Sequence, residues 1–129
     1  MEFNLKDRMI ILNSVLPQFD TRANMILKMS IDSKIALTAT EQNNVVMKPA
    51  GGNIYEYGFK DVSAINDKHE YIFTDDELMY MKQRVDSIDK NGMFSTDTMP
   101  TYLAILDASF IGEEAQSKWD TYIGNMNSL

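Results

Sequence analysis

Few side chains in this sequence are equipped for chemistry, and they are scattered. The single histidine, His69, stands between Lys68 and Glu70 in a polar stretch, and there is no cysteine. A histidine working as a general base or metal ligand needs partners held close to it. No HExxH, Cys/His spacing or GxSxG accompanies this one, so its expected place is an exposed loop. Without cysteine there is no disulfide framework, thiolate ligand or thiol nucleophile, which is compatible with a reducing cytosol. Gly51 and Gly52 lie between two strand-like runs, where neither a dinucleotide nor a P-loop site forms. From Ser87 to Thr98 the chain partly imitates a calcium loop, with Asp89, Asn91 and Gly92 at the third, fifth and sixth positions. Ser87 and Thr98 stand where an Asp and a bidentate Glu are required, so calcium is not expected. Asp75, Asp76 and Glu77, and again Glu113 and Glu114, each open an expected helix, where the helix dipole favours negative charge. Catalysis would need carboxylates converging in a cleft. No catalytic, cofactor or metal residue is assigned, and the reading is non-enzymatic.

The elements that position these groups are organised around Tyr71–Gly92. Tyr71, Ile72 and Phe73 suit a half-buried strand. Thr74 with Glu77 makes a capping box. Leu78, Met81, Val85 and Ile88 then recur on one helical face, with Lys82, Arg84 and Asp86 off it. Asn91-Gly92 closes the helix.

Before this stretch, Asn4 caps a first helix striped by Leu5, Met9, Leu12 and Leu16 and widened by Ile10 and Val15. Pro17 ends it. Asp20 is expected to cap a second helix reaching residue 36, with Ala23, Ile26, Leu27, Ser30, Ile31 and Ile35 inward. Thr38 with Glu41 opens a short third helix. Val45–Lys48, the turn cluster Pro49–Asn53 and Ile54–Phe59 read as a hairpin, with Ile54 and Glu56 on one side and Tyr55 and Tyr57 on the other. Two strands alone are marginal in water, and Glu70–Phe73 is the expected third. Asp61–His69 connects them. After the central helix, Met93 and Phe94 are expected over its end. Thr98 caps a helix with Pro100 in its first turn and Met99, Leu103, Leu106 and Phe110 on one face. Gly112 breaks the chain before a last helix over 113–123, and residues 124–129 should fray.

The fold class is α+β: a helix-dominated single domain with a short antiparallel hairpin or three-stranded sheet, winged-helix-like in part. Residues 1–112 form the compact domain; 113–129 are a C-terminal helix or tail, docked or free. At 129 residues and 44% hydrophobic the chain is long enough for a core. It has no apolar run of transmembrane length and no signal-peptide pattern at its start. Its net charge of −7 is concentrated in residues 61–129, which hold five Lys/Arg and thirteen Asp/Glu. That half repels nucleic acid and anionic membrane. The ten methionines are expected mainly as core fillers, Met25, Met29, Met79 and Met81 among them.

Two functional classes follow. One is an interaction protein that binds another protein or itself, with Phe110, Trp119 and Tyr122 as the candidate contact face. The other is a nucleic-acid-associated regulator, with Ala39–Asn44 as reading helix and Arg22, Lys28, Lys34 and Lys48 for phosphates. The absence of clustered positive charge weighs against it.

Lys6-Asp7-Arg8 running into Ile10-Ile11-Leu12 and Leu16-Pro17, then Leu37-Thr38 with Glu41, then Phe73-Thr74-Asp75 with Glu77-Leu78, is similar to a group of small phage and prophage proteins of uncharacterised function. The similarity spans residues 5 to about 106 and rests on helix caps and apolar stripes. The chain departs from the group in its longer tail, in Phe19 where a glycine is expected and in Tyr57 where a tryptophan is expected. The resemblance implies a viral origin, a non-enzymatic role, and a location in the host cytoplasm or on the virion. It assigns no site residues.

Overall fold

The chain begins with a two-residue strand, β1 (Glu2–Phe3), and turns at once into helix α1 (Leu5–Ile10). The computed structural model describes residues 1–52 and 54–127. Asn53 of the expected turn, the facing of the Ile54, Tyr55 and Tyr57 side chains, and Ser128 and Leu129 of the expected frayed end lie outside the described residues. Asn4 caps α1 reciprocally: its side chain accepts from the Asp7 amide at 2.8 Å, and the Asp7 carboxylate accepts from the Asn4 amide at 3.1 Å. The helix then widens into a π-helical segment over Ile11–Val15 and stops at Leu16, before Pro17. The Leu16 amide reaches back five residues to the Ile11 carbonyl at 3.0 Å. This wider winding changes the expected stripe. Ile10, Ile11, Val15 and Leu16 are buried, while Met9 and Leu12 are only half-buried.

Helix α2 (Arg22–Ile35) is capped by Thr21, not Asp20, through a bond from the Asn24 amide. The Asp20 carboxylate instead accepts from the Tyr80 hydroxyl at 2.7 Å, tying the helix entry to the centre of the fold. Ile31 and Ile35 are fully buried. Ala23, Ile26 and Met29, expected inside, face solvent, because α2 meets its main neighbour along one side only. Helix α3 (Ala39–Asn44) carries the expected capping box between Thr38 and Glu41.

Strands β2 (Val45–Gly51) and β3 (Ile54–Phe59) form the antiparallel hairpin, irregular between Pro49 and Gly51. Gly51 and Gly52 at the turn have φ of 114° and 57°, a region that favours glycine. A 3-10 turn over Val62–Asn66 leads to β4 (His69–Glu70). The expected third hairpin strand is not present. Extended pairing is confined to His69–Glu70, which joins β1 in a separate two-stranded sheet, with Glu2 opposite Glu70 and Phe3 opposite His69. The Tyr71 amide adds a bond to the Met1 carbonyl, and Phe73 is buried as the chain enters the next helix.

That helix, α4 (Asp75–Lys90), is the axis of the fold. Its Thr74–Glu77 capping box and its stop at Asn91, with Gly92 at φ 68°, are as the sequence predicts. Leu78, Met81 and Val85 are buried along the expected face. Glu77, Tyr80, Lys82 and Asp86 are buried too, because α4 is also flanked by α2 on one side and by α5 and α6 on the other. Lys82 and Asp86 therefore do not fall on an open face.

Helix α5 (Met99–Asp107) buries Thr101, Tyr102 and Ile105, so its inner face is rotated from the expected one. Met99 and Leu103 are each 43% exposed. Thr98 sits at the cap position but bonds to Ser95 rather than to the helix amides. The Phe94 ring lies 4.8 Å from Tyr102, whereas Met93 points to solvent. Helix α6 (Glu113–Asn127) runs past the expected end at 123 and contacts α4. Asp75, in the first turn of α4, accepts from the amides of Ile111 and Gly112 at 2.8 and 2.9 Å and fixes the start of α6. Helices dominate this α+β fold. No helix among the described residues is long and apolar enough to cross a membrane.

Candidate functional site

Three places gather the residues singled out above. The first is a groove of about 620 Å³ at the base of the hairpin, between α3, the 3-10 turn and β4. Glu41, Asn44, Lys60, Asp61, Asp67 and His69 line it. Most of these groups are already bound within the chain. Asn44 exchanges bonds with the backbone of Asp61, at 3.1 and 2.6 Å. The Asp61 carboxylate caps the 3-10 turn through Ser63, and these bonds hold it below the usual carboxylate range. Glu41 is also held low, chiefly by hydrogen bonds from the Arg8 guanidinium. A general acid working near neutrality needs the opposite shift. His69 is exposed, with Nε2 3.5 Å from Asp67, itself exposed. The groove is thus a solvent-open surface in which Glu41 and Asp61 are held in the carboxylate form.

The second place is the hairpin itself. The Lys60 amide bonds the Asn44 carbonyl, which makes Asn44 and Lys60 a hydrogen-bonded pair. Alternation along an antiparallel ladder then makes Val46–Gly58 and Lys48–Glu56 hydrogen-bonded pairs as well. The intervening pairs, Val45–Phe59, Met47–Tyr57 and Pro49–Tyr55, turn their amides and carbonyls outward. By composition these outward positions are the apolar and aromatic ones, and the inward positions carry the charges. Val45 and Phe59 anchor the base, Phe59 being buried. Nearer the tip, Met47 is 54% exposed. Neither hairpin edge pairs with a further strand among the described residues.

The third place is the expected contact face. Trp119 is 8% exposed, its ring stacked 5.4 Å from Tyr122. The Lys82 ammonium lies 5.6 Å from the Trp119 ring and 5.3 Å from Phe110. Phe110 and Tyr122 are half-buried. Phe110 and Trp119 flank a lysine of their own chain, and Tyr122 stacks on Trp119. Lys82 is 1% exposed and donates to the carbonyls of Ile105 and Leu106 at 2.9 and 2.6 Å, closing the end of α5. Burial lowers its pKa to about 8, with Asp107 opposing. Periodicity missed Lys82, because it scores a lysine as surface. The available signal was its place one turn from both Leu78 and Val85.

Of the residues expected to contact phosphate, Lys28 pairs with Asp32 at 2.7 Å and Lys34 with Glu77 at 2.5 Å. Burial alone would raise the Glu77 pKa, but bonds from Lys34, Ser30 and the Thr74 amide keep it low. Asn91, from the calcium-like stretch, bonds the Ser87 carbonyl at the end of α4. Comparison with protein-family models, with curated proteins and with solved structures finds no match to this chain.

Proposed function

We propose that this protein is non-enzymatic and acts by binding another protein or a second copy of itself, with the β2–β3 hairpin as its contact element. The observation that carries the reading is the register of the hairpin. It sets an apolar row on the outward-bonding positions, leaves Met47 open to solvent near the tip, and leaves both edges unpaired among the described residues. A two-stranded ribbon of this kind gains from a partner that completes its sheet. The burial of Trp119 supports the hairpin over the aromatic tail as the contact element. The likeness to small phage and prophage proteins supports a setting in the host cytoplasm or on the virion.

The test is Met47→Glu, which changes a side chain outside the core. Light scattering and chemical cross-linking in producing cells should show association in the wild type that falls by about ten-fold in the variant, with an unchanged far-ultraviolet spectrum. A wild type with neither self-association nor a cross-linked protein partner would remove the reading. The order helix, short helix, hairpin favours the nucleic-acid reading as a second. A gel shift across a salt series separates the two, since phosphate contacts weaken steeply with salt.

A further inference from the structure

The open edges of the hairpin are not equivalent. Pro49 occupies an outward position on β2 and has no amide to offer, so that edge is blunted. On β3 the outward positions are Tyr55, Tyr57 and Phe59, each with an amide and a carbonyl. Phe59 is buried at the base, and Tyr57 is the next outward position along β3.

Charge placement adds an independent observation. Lys48 and Glu56 face one another in register, both are exposed, and yet they form no ion pair among the described residues. The Lys48 stem leans diagonally over Gly58 instead. A Cβ on Gly58 would stand 2.8 Å from Lys48 Cε and 3.2 Å from Val46 Cγ2, so only glycine leaves room for that path. The lysine stem thus crosses from β2 onto β3 at Gly58 rather than pairing with Glu56 directly opposite.

We infer that β3 pairs antiparallel with β3 of a second copy about a two-fold axis at Tyr57, giving a four-stranded sheet. This rests on the hairpin being the contact element. In that register the Tyr57 amide and carbonyl bond their symmetry mates, and Glu56 of each copy lies opposite Gly58 of the other. Lys48, leaning over Gly58, then meets the Glu56 carboxylate of the second copy, twice over by symmetry. Centring the pair on Glu56 would oppose two like charges, and shifting it towards the base would bring the buried Phe59 regions together.

The chain has no cysteine, so one introduced thiol reports the register cleanly. Tyr57→Cys should give a disulfide-linked dimer under mild oxidation, because paired Cα atoms about 5.5 Å apart lie within disulfide reach. Lys48→Glu and Glu56→Lys should each weaken the dimer about ten-fold or more in light scattering, since like charges then oppose one another. Mixing those two variants should restore a heterodimer, because every cross-copy pair is then attractive. Tyr57→Pro should leave the hairpin intact and abolish the dimer. A monomeric wild type, or charge variants whose mixture does not recover, overturns the inference. If foreign-partner capture still depends on Met47 in that case, the proposed function stands without it.

Discussion

Two helices of this protein end on a buried cation, and the two ends are built differently. At the end of α2, Arg8 donates to the carbonyls of Ile35 and Ala36 at 3.1 and 2.7 Å. The same guanidinium forks onto both oxygens of Glu41, the capping-box glutamate of α3, and lies 5.5 Å from the Tyr71 ring. At the end of α5, Lys82 also takes two carbonyls, but among the described residues no carboxylate pairs with it, and the rings of Phe110 and Trp119 lie beside it. Five fixed donors let arginine satisfy a helix end and an acid together, and a guanidinium keeps its charge throughout. A lysine left with dipoles and ring faces is only partly compensated, and it releases its proton more easily. At one junction the cation is matched by a carboxylate held below its usual range; at the other the cation itself is poised.

The strongest way to break this contrast is Arg8→Met. It takes the guanidinium from Glu41, which keeps only the Thr38 amide, and from two carbonyls, so a loss of about 3 kcal/mol is expected in urea unfolding, with a fall of about 10 °C in melting temperature. Lys82→Met, at the other junction, should cost less than about 1 kcal/mol at pH 7, because removing an unpaired buried charge offsets the two lost bonds.

The pH dependence sharpens the difference. The folded pKa of Lys82, about 8, lies below the unfolded value, so between the two the unfolded chain binds more protons. Stability should therefore rise from pH 8 to 10, by about 1–2 kcal/mol, and stay flat over that range in Lys82→Met. Above pH 10 the trend should reverse, because burial raises the pKa of both Tyr71 and Tyr80 while the unfolded tyrosines ionise near their ordinary value. The smallest effect belongs to a cation with no helix end to close. Lys118 meets Glu114 at 3.3 Å on the open face of α6, and Lys118→Ala should change stability by less than about 0.3 kcal/mol.

The legible parts of the fold were the local ones. The caps at Asn4, Thr38 and Thr74 each span four consecutive residues, so the sequence carries the whole interaction. The hairpin was legible for the same reason, its partner strands being separated by a short turn. The third strand was misplaced because its true partner, β1, lies almost seventy residues away and offers only two residues. The stripe of α1 was misphased because periodicity assumes an α-helical winding, and Ile11–Val15 winds as a π-helix. The docking of Trp119 on Lys82 is not legible in the sequence, because nothing near Trp119 announces a lysine on another helix. The outward row of the hairpin was visible as alternation, but the lean of Lys48 over Gly58 needed coordinates.

The seating of Trp119 against α4 also furnishes a built-in optical reporter. It is the sole tryptophan, and its indole is shielded from water beside an ammonium that loses its proton near pH 8. Emission excited at the red edge therefore follows the last helix alone. Its lifting off would register as a red-shifted spectrum even while the circular dichroism of the other helices stays constant.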